Sequence, residues 1–304
     1  MTPLRVWRFH DHIRRHEKQS LGLLQGLAKL TSLSARHFAW PDVRSRFLNE
    51  ALNRQAQAPD LVIGAGRRVQ MPVALTALRW RARSVILGKP SLPRHLFDLL
   101  IVPEHDHIAH ARNVIRSRGV LSPSAAGPKA ANAGMILVGG DSAHYGFDPR
   151  AVSETIRAIM RESPNVRWTV ADSRRTPHAM RELLCQDPDV RFVHWRDAGP
   201  DWLSHELGKA SWAWVTSDSV SMLYEALTNG CDVGVIALPA REEASALVDR
   251  IRRLQQEGLV TTSESTLKLA AREPETAPLA EHTRCAHVVL ERFFASRLAQ
   301  APMT

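Results

Sequence analysis

Short apolar runs, each closed by a polar or glycine-bearing turn and followed by a segment of helical period, recur along this chain. Leu4–Phe9, Leu61–Ile63, Ser84–Leu87 and Phe97–Val102 read as strands, with Ala35–Ala39 as a further short one. Gln19–Leu30, Arg46–Gln57 and Gln70–Arg81 read as the helices among them. Parallel strands need a long crossover, usually a helix, so this alternation predicts a parallel sheet with helices on both faces.

The pattern then breaks and restarts. Residues 122–134, Ser-Pro-Ser-Ala-Ala-Gly-Pro-Lys-Ala-Ala-Asn-Ala-Gly, are small and unpatterned and read as a linker or exposed loop. Beyond them Met135–Val138, Arg167–Ala171, Val190–His194, Ser211–Val215 and Val233–Leu238 read as strands. Asp148–Glu162, His178–Leu184, Asp201–Lys209, Ala240–Gln256 and Glu281–Leu298 read as helices, and the polar stretch 262–280 as a loop or short helix. The expectation is an α/β chain of two Rossmann-like domains, 1–126 and 127–304, with the last helix packing back on the first domain. A chain of 304 residues is long enough for two domains of ordinary size.

Composition narrows the function classes. Hydrophobic residues at 44% and charged residues at 23% are those of a soluble globular protein, with no apolar run of membrane-spanning length. The N-terminal residues lack the apolar core of a signal peptide. Cys185, Cys231 and Cys285 are odd in number and widely spaced, which suits a reducing cytosol and makes neither a disulfide framework nor a zinc pattern. The net charge of +9 comes from scattered rather than blocked basic residues. It suits phosphorylated small molecules or an anionic membrane surface, and compositional bias accounts for it equally well. No aromatic-interleaved basic motif or DNA-reading helix marks a nucleic-acid binder.

The densest polar cluster is Thr216-Ser-Asp-Ser-Val-Ser-Met-Leu-Tyr-Glu225, between two apolar runs. Ser217, Asp218 and Ser219 stand at a helix start, where backbone N–H groups lack partners and an anion can sit. Glu225, one to two turns in, can grip vicinal hydroxyls such as those of a ribose. The same residues also serve as an ordinary N-cap. Gly139 and Gly140 end the first strand of the second half, where missing side chains admit a diphosphate and Ser142 adds a hydroxyl; a tight turn needs the same glycines. Ser173, Arg174 and Arg175 follow the next strand, and a guanidinium there can clamp a departing diphosphate. His194 and Trp195 end the third strand, where a nucleobase can stack or bond to backbone; ordinary loop packing accounts for them equally well.

In the first half, His10, Asp11 and His12 on the first loop and Glu104, His105 and Asp106 after Val102 are the candidates for a general base. The run Glu104-His-Asp-His107 matches no familiar metal spacing, so no metal is assigned. Gly64-Ala-Gly66 lacks the third glycine of a dinucleotide site, and there is no P-loop, so no cofactor is expected. The first strand does not end in the glycine fingerprint that a nucleotide-sugar epimerase or dehydrogenase would need. Tyr145 and Tyr224 also lack the lysine four residues on.

Five ordered motifs are more specific. Pro90-Ser-Leu-Pro93, Phe97-Asp-Leu-Leu-Ile-Val-Pro-Glu-His-Asp106, Gly139-Gly-Asp-Ser-Ala-His-Tyr145, Asp172-Ser-Arg-Arg-Thr-Pro177 and the stretch from Thr216 to Ala226 occur in that sequence order. Together they resemble the ELM family, named for mitochondrial fission, over about Lys18 to Leu238. That family in turn resembles GT-B glycosyltransferases, whose two Rossmann-like domains face across a cleft. The segment containing Ser219, Ser221 and Glu225 is similar to the donor-ribose segment of the lipid-linked GlcNAc transferase of peptidoglycan synthesis. The resemblance implies a nucleotide-sugar-dependent glycosyltransferase. No obvious Asp-x-Asp metal motif is present, so metal-independent transfer is the simpler expectation. Cysteine usage and net charge suit a cytoplasmic protein at or near a membrane surface. It would bind a nucleotide-diphosphate sugar in its second half and an acceptor, lipid-linked or otherwise, in its first. It also leaves open a non-catalytic scaffold. Two departures stand out: Gly230-Cys-Asp-Val233 replaces Gly-Lys/Arg-Pro-Val, and Arg8–His12 lacks that transferase's glycine-rich turn.

Overall fold

The computed structural model describes residues 2–40, 57–104, 106, 108–125, 127–199, 201–242, 246–270 and 279–298. The helix expected over Arg46–Gln57 lies outside them except for its last residue, and His105 and His107 lie outside them too. The chain divides into two units, Met1–Pro123 with Ala280–Thr304, and Ser124–Leu279.

The first unit is a six-stranded, all-parallel sheet in the order β2-β1-β3-β4-β5-β6. Its strands are β1 (Leu4–His10), β2 (Leu33–Ala39), β3 (Leu61–Ala65), β4 (Arg83–Leu87), β5 (Leu99–Pro103) and β6 (Val114–Ser117). Helix α1 (Arg14–Leu30) follows β1 and α2 (Gln70–Trp80) follows β3. The strands read as continuous apolar runs because both faces are covered. Leu4, Val6, Leu61, Ile63, Val85 and Leu99 pack on one face with Leu23 and Leu27 of α1. Their neighbours in sequence, Trp7, Val62, Ile86 and Leu100, pack on the other with Val69 and Val73.

In the second unit the order is β12-β11-β10-β7-β8-β9, again all parallel. The strands are β7 (Ala130–Leu137), β8 (Arg167–Ala171), β9 (Arg191–Val193), β10 (Ala210–Thr216), β11 (Asp232–Ile236) and β12 (Val260–Thr262). The helices are α3 (Pro149–Glu162), α4 (His178–Gln186), α5 (Trp202–Lys209), α6 (Val220–Thr228) and α7 (Ala246–Gln256). Helix α8 (Glu281–Leu298) returns to the first unit, burying Cys285, Ala286, Val289 and Leu290 beside α1. Each fully buried Val or Leu contributes about 1.5–3 kcal/mol. Among the described residues no helix is long and apolar enough to cross a membrane.

Several boundaries differ from expectation. Helix α1 starts at Arg14 rather than Gln19, because its first turn is polar and carries no apolar period. The end of the expected linker, Ala130–Gly134, is the first part of β7, where small residues pair with β10 and β8. Phe97 closes a short 3₁₀ turn, so β5 begins at Leu99. Ala240–Gln256 is helical only from Ala246 among the described residues. The short edge strands β6 and β12 carried too few residues to register as periodic.

Candidate functional site

Each sheet has a point where the strand order reverses. From β7 the chain winds outward through β8 and β9, then returns to the other side of β7 with β10. From β1 it goes to β2 on one side, then to β3 on the other. Open α/β sheets bind ligands at the carboxyl ends of strands beside such reversals.

In the second unit three loops converge there. The Gly139 N–H donates to Thr216 Oγ1 at 2.7 Å, and the Gly140 N–H to Asp218 Oδ2 at 3.0 Å. Arg175 reaches the same Asp218 Oδ2 at 2.6 Å and donates to Ser219 Oγ at 3.0 Å. Both glycines are demanded by packing: a methyl on Gly139 would overlap the Asp218 carboxylate, and one on Gly140 the Arg175 carbonyl. The two N–H groups expected to meet a diphosphate are thus donated internally here, one of them to a carboxylate. Asp218 is buried, its Oδ1 makes no hydrogen bond, and Ser219 at the start of α6 makes no side-chain cap. The cradle therefore has the donors of an anion site and already holds an anionic group.

Asp172, at the end of β8, organises the neighbouring corner. Its Oδ1 accepts from the Trp195 N–H at 2.6 Å; its Oδ2 accepts from Arg181 Nε at 2.6 Å and lies 2.8 Å from His194 Nδ1. The carboxylate is buried, while His194 is partly exposed. Arg174 lies over the Trp195 ring, 5.3 Å from its centroid, with Arg196 5.2 Å from the same ring. The adjacent arginines are therefore separated in role: Arg175 enters the cradle and Arg174 stacks on an aromatic.

Three expected hydroxyls are occupied in turns. Ser142 Oγ accepts from the Tyr145 N–H at 3.0 Å, and Ser173 Oγ lies 3.2 Å from Thr176 Oγ1. Ser217 Oγ accepts from the Leu238 N–H at 3.1 Å and also bonds Tyr145. Burial pushes the Tyr145 hydroxyl above its ordinary range, against the effect of that bond. Ser221 is exposed and Glu225 half-buried on α6.

At the reversal of the first unit stand ionisable side chains. His10 Nδ1 lies 2.9 Å from Glu17 Oε1, at an angle that makes no hydrogen bond. Burial, then the charge of Arg8, pulls His10 below its ordinary pKa. Arg8 is itself buried, donating to Ser20 Oγ at 2.9 Å and lying 3.0 Å from His37 Nδ1. His10, His12 and Glu17 bring ligand atoms within 4.8 Å of one another, a cluster the sequence reading did not assign to a metal. Asp11 is buried and committed to His16 Nδ1 at 2.9 Å and to the Ile13 N–H at 3.2 Å, so it orients His16 rather than standing open as a base. Glu104 is not brought to His10. Strands β3 and β4 lie between β1 and β5, and three sheet spacings make roughly 14 Å.

Asp172, Arg181, Thr216 and His16 were not among the expected residues. Their signal was positional: each is polar and stands at or just beyond a strand end or helix start.

A protein assigned as a UDP-N-acetylglucosamine 2-epimerase from Listeria monocytogenes has the same fold at 13% identity and a TM-score of 0.52, over 99% of this chain and 91% of that one. The glycosyltransferase of kitacinnamycin aligns at 14% identity and 0.48, over 96% and 100%. Acinetobacter baumannii MurG aligns at 13% and 0.42, over 98% and 96%. The fold is thus α/β and GT-B-like, with two Rossmann-like units. No curated protein matches the sequence. The mitochondrial fission ELM1 family matches over residues 16–293, and the chain belongs to that family.

Proposed function

We propose that the chain is a glycosyltransferase whose second unit holds a nucleoside-diphosphate sugar and whose first unit serves the acceptor. The observation that carries this is the cradle at the β7–β10 reversal. Arg175, Ser219 and the Gly139-Gly140 turn converge beside the uncapped start of α6. In the reaction an acceptor hydroxyl attacks the anomeric carbon, the bond to the diphosphate oxygen breaks, and the hydroxyl proton passes to a base. Charge grows on the leaving diphosphate, and a planar guanidinium at Arg175 stabilises it without a metal ion. His10 is the assigned base, because burial beside Arg8 keeps its imidazole neutral near pH 7. Glu225 would accept from ribose hydroxyls, and the His194–Trp195 corner would hold the nucleobase.

Asp218 must yield for this to work. Its carboxylate occupies donors a phosphate needs, so removing its charge should tighten nucleotide binding. In the second reading, a scaffold, the same carboxylate closes the cradle permanently; the internally donated Gly139 and Gly140 N–H groups favour it. Calorimetric titration with UDP and other nucleoside diphosphates separates the two. Binding by wild type, weakened in Arg175→Lys and strengthened in Asp218→Asn, supports the transferase. Absence of binding in wild type and in Asp218→Asn leaves the scaffold. The fold is also shared with a protein assigned as an epimerase, so NMR of a bound UDP-sugar must show no epimer.

A further inference from the structure

Helix α2 is apolar on two sides. Pro72, Val73, Thr76 and Ala77 are buried toward the sheet. Met71, Leu75 and Leu78 face away, with 52%, 51% and 79% of their surface exposed. Spacings of four and three place them in one line on the helix. Single exposed apolar residues are ordinary, but a continuous row marks a contact surface.

The surroundings of the row select what it contacts. Exposed Arg67 and Arg68 precede it, and exposed Arg79 and Arg81 follow it. From Leu61 to Phe97 the sequence has no Asp or Glu; it has Arg67, Arg68, Arg79, Arg81, Arg83, Lys89 and Arg94. The loop carrying Lys89 and Arg94 is tied to the start of α2, where Gln70 Oε1 accepts from the Ser91 and Leu92 N–H groups at 2.9 and 3.1 Å. Leu96 adds another exposed apolar side chain there, at 44%. A nucleic acid would use the arginines but not the Leu row. A second copy docking about a two-fold would set arginines against arginines. An anionic bilayer uses both: apolar side chains enter the headgroup–acyl boundary while arginines meet lipid phosphates.

We infer that this face of α2 docks the protein on an anionic lipid bilayer. The inference stands apart from the transferase reading and needs no donor site. The test is co-sedimentation of the full chain with vesicles of phosphatidylcholine alone or mixed with phosphatidylglycerol. Binding should require phosphatidylglycerol and fall as salt rises, since screening weakens exposed charges. Leu75→Ser with Leu78→Ser should lower vesicle partitioning at least about tenfold, the scale of withdrawing two such side chains from an apolar medium. Arg79→Gln with Arg81→Gln should lower it and flatten its salt dependence. Unchanged melting temperatures, expected at exposed positions, show that the variants fold. Undiminished binding in the Leu double variant, equal binding to phosphatidylcholine alone, or no binding by wild type each overturns the proposal. So does a dimer that the same variants abolish while vesicle binding is absent.

Discussion

The two strand-order reversals, reached after one outward strand in the first unit and after two in the second, have opposite contents. At β7–β10 the positions after the strands are glycines and hydroxyls, so three loops close to hydrogen-bonding distance around one guanidinium and one carboxylate. At β1–β3 the corresponding loop carries His10, Asp11 and His12, backed by a buried Arg8. Small residues let backbone approach backbone and make an anion cradle. Titratable residues fill the first reversal instead, where His10 lies beside Glu17 and Asp11 holds His16. The parallel sheet supplies the strand ends in both cases, and side-chain size and charge decide what gathers there.

The sharpest way to break this comparison is at Arg174 and Arg175. If the cradle is the anion site, Arg175→Lys should cut turnover by about ten- to a thousandfold, the effect of losing one transition-state donor. Arg174→Lys should change it less than about threefold, since Arg174 lies over Trp195. Until a donor sugar is found, nucleoside-diphosphate affinity is the readout. Equal losses in the two variants would dissolve the distinction.

Next in size is Gly140→Ala. Its methyl meets backbone, the Arg175 carbonyl, which cannot swing aside as a side chain does. Overpacking of this kind costs about 3 kcal/mol, or roughly 6–12 °C in melting temperature for a unit of this size. An unchanged melt would mean that the loops do not converge as described.

Much of this architecture was legible in the sequence. The central strands of both units were visible because strands buried on both faces have no polar alternation to obscure them, as Leu61–Ile63 and Leu99–Val102 illustrate. Glycines and hydroxyls after strand ends marked the cradle. What stayed hidden depends on pairing across the chain. Nothing near Asp218 in sequence says that its carboxylate meets Gly140 and Arg175, and nothing near Glu104 says that two strands separate it from His10. Arg174 and Arg175 are equivalent in sequence and differ only in which loop each faces.

A third prediction uses pH to separate the units. His282, buried on α8 beside Lys29, is held down to about 4, first by burial and then by that charge. Its unfolded value is about 6.5. The unfolded chain thus binds the extra proton first, so stability is full above pH 6.5 and lost as pH falls toward 4. The loss should approach about 3 kcal/mol in the first unit. His282 and Lys29 both belong to the first unit. Hydrogen exchange at pH 7 and pH 5 should therefore show protection falling in α1 and α8 before β7 and β10. His282→Gln should remove most of the difference. Uniform loss across both units would show that His282 is not what couples the fold to acid.

The smallest effect tests the other side of the comparison, whether the first reversal tolerates glycine as the second demands it. His12 has φ 58, in the left-handed region where a side chain crowds the backbone. Such a conformation costs a non-glycine residue about 1–2 kcal/mol. Glycine removes that strain but gives up about 0.5–1 kcal/mol through its greater freedom in the unfolded chain. The two nearly cancel, so His12→Gly should leave stability within about 1 kcal/mol, a shift of no more than roughly 4 °C. The His12 ring also stands edge-on to His10, centroids 5.0 Å apart, and its charge disfavours protonation of His10. Removing the ring should therefore make His10 easier to protonate and move the acid limb of activity to higher pH. A stability loss well beyond 4 °C would mean that the His12 side chain holds the loop in place. The first reversal would then be a packed corner like the second, and the division between a proton-handling loop and an anion cradle would fail at its weaker end.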